Sequence, residues 1–132
     1  MLAGGCLCGG VRYEVEAIDF MHHCHCSICR KTSGGAYGTF AHARASVFRW
    51  RSGTDLLGSY ASSARRRRAF CRVCGAKMPV VHLAEDHVAI PAGTFDDDPG
   101  ARPIVHTYVA SKAAWHEIGD DLPRLDAGPP DA

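Results

Sequence analysis

The chain has 132 residues, 46% of them hydrophobic, and a formal net charge of +1. That length fits one domain with a single modest core. The near-neutral charge gives no global pull toward nucleic acid or a membrane surface, and no apolar run approaches the ~18 residues of a membrane span.

The opening "MLAGGCLCGG" lacks the basic region and apolar stretch of a signal peptide, so the expected address is cytoplasmic. "VRYEVE" alternates Val11, Tyr13 and Val15 with polar residues, which predicts a half-buried strand. "HHCHCSICRKTSGG", residues 22–35, reads as a cysteine-bearing loop running into one or two helical turns. Ser27 is the predicted cap and Gly34 and Gly35 the stop. "AYGTFAHA", "SVFRWR" and "DLLGSYAS" are predicted strands, with "RSGT" as the turn between the second and third.

Next, "RRRRAF" predicts a strand leading into "CRVCGAK". On that strand Arg65 and Arg67 would face one side, Arg66 and Arg68 the other. Such a split disfavours a nucleic-acid patch. It suits a solvated edge or guanidiniums that grip carboxylates. "MPVVHL", "DHVAIPAGTF" and "PIVHTYVA" complete the strands, with "FDDDPGARP" as a loop. "SKAAWHEI" predicts a short helical turn capped at Ser111. The reading is one mainly β domain over residues 1–126 with few helical turns, followed by a flexible tail over 127–132.

The seven cysteines form three groups: Cys6 and Cys8; Cys24, Cys26 and Cys29; Cys71 and Cys74. In a reducing compartment such clusters point to metal, and an odd total fits disulfides poorly. Gly follows the second cysteine of the first and last groups but not of the middle one. This asymmetry suggests that Cys6, Cys8, Cys71 and Cys74 close a four-thiolate structural zinc site. Cys24, Cys26 and Cys29 would then hold a second, catalytic zinc with an open position. A rival pairing joins Cys26 and Cys29 to Cys71 and Cys74 as a zinc ribbon, leaving Cys6, Cys8 and Cys24 for other work. Simple burial of seven thiols as small hydrophobes fits these spacings least.

"GGCLCGGVRYEV", "CHCSICRKTSGGAYGTF", "FRWRSG", "RRRRAFCRVCGAKM" and "PIVHTYVASKAAW…DDLPRL" resemble the glutathione-dependent formaldehyde-activating enzyme family, also called the centromere protein V domain family. The resemblance spans about residues 3–126. It implies an Mss4-like fold of coiled antiparallel sheets built around zinc sites. It also implies the first partition of the cysteines, with Cys24, Cys26 and Cys29 catalytic. Departures are Ile28, where relatives often carry a polar residue, and "HTY" and "AAW", where they often show a "HIW…PW" pattern.

A three-thiolate zinc is a weak Lewis acid, and its natural role is to bind a substrate thiol and keep it ionised. The implied activity is a zinc-dependent carbon–sulfur lyase. It would form or cleave an S-hydroxyalkyl adduct between a thiol, with glutathione implied, and a small aldehyde such as formaldehyde. His25, with His22 and His23 beside it, is the candidate proton donor. His82, His87, His106 and His116 read as surface or packed residues. Thr32, Ser33 and Tyr37 are candidates for lining the pocket. The alternative is a non-catalytic, zinc-stabilised binding module on the same fold. A third reading keeps the enzyme but changes the thiol or electrophile. Exposed strand edges leave room for a homodimer.

Overall fold

A computed structural model describes residues 1–128, and the expected flexible tail falls mostly on 129–132, outside the described residues. The described residues are mainly β, with three sheets and one α-helix. Among the described residues no helix is long and apolar enough to cross a membrane.

The first sheet joins β1 (Leu2–Gly5), β2 (Arg12–Val15) and β5 (Phe48–Ser52) in that order, all antiparallel. β2 follows its alternation: Tyr13 and Val15 are buried, and Arg12 and Glu14 lie on the open side. The Tyr13 ring stacks on Phe48 at 5.5 Å, and its hydroxyl pairs with Thr94 Oγ1 at 2.7 Å. The turn between β1 and β2 carries Cys6 and Cys8. Gly9 supplies the positive φ of +78° that this turn requires.

The second sheet is the platform of the site. It is built from β3 (Phe20–Cys24), β4 (Gly38–Ala43), β9 (Val80–His82), β10 (His87–Pro91) and β11 (Pro103–Thr107). The order is β11-β3-β4-β10-β9. Its inner face supplies Met21, Ala41, Ala43, Val88 and Ile90, which pack with Tyr13 and Val15 into the main core. β11 lies parallel to β3, an exception to the antiparallel expectation. That arrangement is open to two strands separated by most of the chain, because the long connection permits a crossover.

The third sheet joins β6 (Leu57–Ala61), β7 (Arg67–Cys71) and β8 (Lys77–Met78). β7 begins two residues later than expected. Arg65 and Arg66 lie in the preceding turn, where Ser63 Oγ accepts from both backbone N–H groups. "MPVVHL" is also not one strand: Met78 ends β8 and Val80 begins β9 in a different sheet. Pro79 stands between them and, lacking an N–H, cannot extend a ladder.

Helix α1 (Ser27–Ser33) forms where expected, and Gly34 terminates it in the left-handed region. The cap is Cys26 rather than Ser27, since the Cys26 sulfur accepts from the Cys29 N–H at 3.3 Å. "SKAAWHEI" does not become a helix. A 3-10 turn over Val109–Ser111 ends at Ser111, and Lys112 Nζ caps the carbonyls of Ala113 and His116 instead. β1 and β3 were not expected. Near the end of the described chain, Ala127 is held by a bond from the Tyr108 N–H to its carbonyl.

Candidate metal centres

Cys6 and Cys8 sit on the β1–β2 turn, and Cys71 and Cys74 on the turn after β7. Gly75, at φ +77°, lets that second turn close, and its N–H bonds the Cys71 carbonyl at 2.8 Å. The two turns meet, and all four sulfurs lie within 4.8 Å of one another. The sulfur separations are 3.5 Å for Cys6–Cys8 and 3.9 Å for Cys8–Cys71. A tetrahedral ion with ~2.3 Å bonds to sulfur needs its ligands about 3.8 Å apart, so the cage fits. The Val11 N–H points at the Cys6 sulfur at 3.3 Å, as a donor toward a thiolate should. The backbone N–H of Cys8, foremost, pulls the Cys74 pKa down to about 6.

Cys24, Cys26 and Cys29 converge separately, again within 4.8 Å, where the end of β3 meets the first turn of α1. The rival ribbon is thereby excluded, because Cys26 and Cys29 gather with Cys24 and not with Cys71 and Cys74. Hydrogen bonds from Cys24 and Cys29 draw the Cys26 pKa down, while the same crowding by Cys24 and Cys26 drives that of Cys29 up. Three close sulfurs cannot all ionise without a compensating cation, so this donor set also fits a metal. Three protein ligands leave one position of a tetrahedron open.

The trio lies at the edge of a cavity of about 620 Å³, within the range of small-molecule sites. Cations stand beside it. Arg68 Nη1 is 3.9 Å from the Cys29 sulfur, and its Nε donates to Ser62 Oγ at 3.2 Å. Lys77 Nζ sits 4.5 Å above the Phe40 ring and donates to Ser33 Oγ at 3.3 Å. Burial lowers the Lys77 pKa, with the neighbouring cysteines acting in the other direction. Arg66 and Arg67 also border the cavity, and because Arg65 and Arg66 precede β7 the expected alternation applies only from Arg67 onward. That expectation assumed a strand from Arg65 onward.

The outer face of the second sheet forms the remaining wall. His22, His42, His87 and His82 come from the adjacent strands β3, β4, β10 and β9. His22 Nδ1 and His42 Nε2 lie 2.8 Å apart, as do His42 Nδ1 and His87 Nε2. Burial, foremost, pushes the His42 pKa down to about 3, with His22 and His87 adding to it. The unfolded value is near 6.5, so below that pH the unfolded chain binds the extra proton. Stability from this group is complete above pH 6.5 and is lost as pH falls toward 3. His42→Phe should therefore flatten the acid limb by on the order of 1 kcal/mol per pH unit. Urea unfolding of both proteins across that range measures it.

Of the residues proposed from the sequence, Cys24, Cys26, Cys29 and His22 border the cavity, and His25 does not. The His25 ring is fully buried, with Nε2 2.8 Å from His106 Nδ1. His23 bonds Thr39 Oγ1 at 2.8 Å on the far side of the sheet from the cavity lining. Tyr37 packs 5.0 Å from the His25 ring, and Thr32 bonds the Ile28 carbonyl; neither borders the cavity. Reasoning from the sequence missed His42, Lys77 and Asp120. Lys77 stood inside "CRVCGAKM", and its distance of three residues from Cys74 was the available signal.

Fold and site together define a small β domain with a closed four-sulfur cage and a separate three-sulfur cluster opening on a cationic cavity. The sequence profile of the glutathione-dependent formaldehyde-activating enzyme family matches residues 1–111. The chain belongs to that family, which is an enzyme family by that description. It is 30% identical, over 99% of its length and 90% of the relative's, to a protein of Halomonas elongata that carries the family's enzyme name in provisional form. It also matches the crystal structure of a Rhodobacter sphaeroides protein with a TM-score of 0.64 and 27% identity, covering 80% of this chain and 99% of that one.

Proposed function

We propose that this protein is a zinc-dependent carbon–sulfur lyase that joins a thiol, glutathione by the family's description, to a small aldehyde such as formaldehyde, or reverses that addition. The observation that carries this reading is the convergence of three sulfurs at a cavity also lined by Arg68 and Lys77. Cys6, Cys8, Cys71 and Cys74 would hold a structural zinc, and Cys24, Cys26 and Cys29 the catalytic one. When bound by the trio, zinc supplies a fourth position for the substrate thiol and lowers its pKa.

The chain's own groups then have separate tasks. Arg68 and Lys77 bind a carboxylate of the thiol substrate, and glutathione has two. Phe40 and Met78 give the cavity apolar surface that excludes water. The thiol sulfur forms a bond to the aldehyde carbon, and the carbonyl π pair moves to oxygen. That oxygen takes up one proton while the thiol gives one up, so the reaction is proton-neutral overall. His22 is the nominated histidine that borders the cavity. In the tautomer whose Nδ1 accepts from His42, its Nε2–H donates to the developing oxyanion. A role for His25 would be indirect, through the backbone it shares with Cys24 and Cys26.

Nuclear magnetic resonance exchange between free and adducted glutathione tests the reading. The zinc-loaded protein should accelerate adduct formation with formaldehyde over the spontaneous rate. Arg68→Ala should raise the glutathione KM by about 10-fold or more while kcat changes little, the loss expected for one hydrogen bond to a charged group. No acceleration by a protein carrying two zinc ions would leave the binding-module reading in its place.

A further inference from the structure

Behind the trio, on the side away from the cavity, three side chains form a continuous line. Asp120 carboxylate oxygens lie 3.0 and 3.1 Å from His106 Nε2, and His106 Nδ1 lies 2.8 Å from His25 Nε2. The His25 and His106 rings are 0% and 1% exposed. A carboxylate only accepts, so His106 carries its proton on Nε2 and presents Nδ1 as an acceptor. In the neutral pair His25 is then protonated on Nε2. Its Nδ1 is left bare, buried and without a partner. Burying an unpaired ring nitrogen is unfavourable, and an apolar side chain of similar size would avoid it. Packing alone therefore gives no account of a histidine here.

Position in the chain supplies one. His25 stands between the ligands Cys24 and Cys26. Along extended backbone, neighbours point to opposite sides, so a ring fixed behind the sheet aims both flanking sulfurs forward. The His25 N–H is held as well, by the Thr107 carbonyl at 2.9 Å. His106 is itself braced: its N–H bonds the Pro123 carbonyl and its carbonyl accepts from the Leu125 N–H, both at 2.9 Å. Asp120 accepts from the Leu122 N–H at 3.0 Å.

We propose that Asp120, His106 and His25 are positioning residues that set the bite of Cys24 and Cys26 on the metal of the middle site. Asp120 lies beyond the 1–111 stretch that the family profile matches, so the chain recruits its carboxy-terminal segment for the purpose. The proposal rests on the trio being a metal site.

The test uses the full chain loaded with zinc, and separately with cobalt, whose thiolate absorption bands report ligand geometry. Zinc per chain is counted while a chelator competes. His106→Phe keeps the ring volume but removes the acceptor for His25. It should weaken the middle site about 10- to 100-fold, the range for loss of a partner behind a ligand, and alter its cobalt bands. The four-cysteine site should remain unchanged as an internal reference. His106→Asn should restore both readouts, because its Oδ1 can occupy the place of Nδ1 and accept from His25. Asp120→Ala, a change at a half-exposed carboxylate, should weaken the middle site in the same direction without lowering the unfolding temperature of the cage.

Two metals at wild-type affinity and with wild-type bands in His106→Phe would overturn the proposal. So would an Asn variant no better than the Phe variant. If His106→Phe fails to fold, wild-type metal affinity and bands in Asp120→Ala overturn it instead. A wild-type protein that binds only one metal overturns the reading of the trio and this proposal together, which separates the two failures.

Discussion

Cys71→Ser should leave the chain unfolded, with the amide dispersion of the wild-type spectrum collapsed and no cooperative thermal transition. The sulfur is fully buried, at the end of β7, in a cluster with Cys6, Val11 and Met78. That cluster is small and joins the first sheet to the third through little besides the cage and Trp50, Leu56 and Leu57 at its margin. Structural zinc sites contribute on the order of 10–16 kcal/mol in apparent terms, while a domain's whole stability is about 5–15 kcal/mol. Losing one ligand of four therefore removes an amount comparable to everything that keeps the domain folded. A chelator strong enough to strip the cage should reproduce the effect in the wild type. A variant that still unfolds cooperatively near the wild-type temperature would show that the cage is not architectural.

Cys26→Ser should do the opposite: retain the fold and lose the chemistry. Cys26 caps α1 through its sulfur, and serine is among the best N-caps, so the helix keeps its first turn. The side chain is half-buried, unlike Cys24 and Cys29, which pack with Phe40. The oxygen is a poor substitute for a thiolate toward zinc. The expected result is one metal per chain instead of two, adduct formation reduced to the spontaneous rate, and an unfolding midpoint within a few degrees of wild type. Metal analysis and the resonance exchange assay on the same sample measure it. If Cys26→Ser proves as destructive to the fold as Cys71→Ser, both clusters are structural and the enzyme reading falls.

The sequence made the two cysteine clusters legible because metal chemistry constrains local spacing. A C-x-C or C-x-x-C turn must fold tightly, and the glycines after Cys8 and Cys74 marked the turns that do. β2 was legible for the same local reason, since Tyr13 and Val15 alternate with charged neighbours. What escaped depends on strand order. His42 looks like any lone histidine on a strand. It becomes part of a wall only because β3, β4, β10 and β9 lie side by side. β1 escaped because "LAGG" has no alternation, and β3 because the histidines of "FMHHC" face both sides of the sheet. Arg68 and Lys77 were visible as charges, but their meeting beside Cys29 follows from β7 pairing with β8.

The parallel pairing of β11 with β3 has a consequence for the order in which the molecule is made. Every cysteine has been added to the chain by residue 74. The backing of the trio comes from Pro103–Thr107 and from Asp120, which come later in the sequence. A growing chain thus holds all four sulfurs of the cage before the residues behind the trio have been added. Cys24, Cys26 and Cys29 wait, unbraced, until those residues follow.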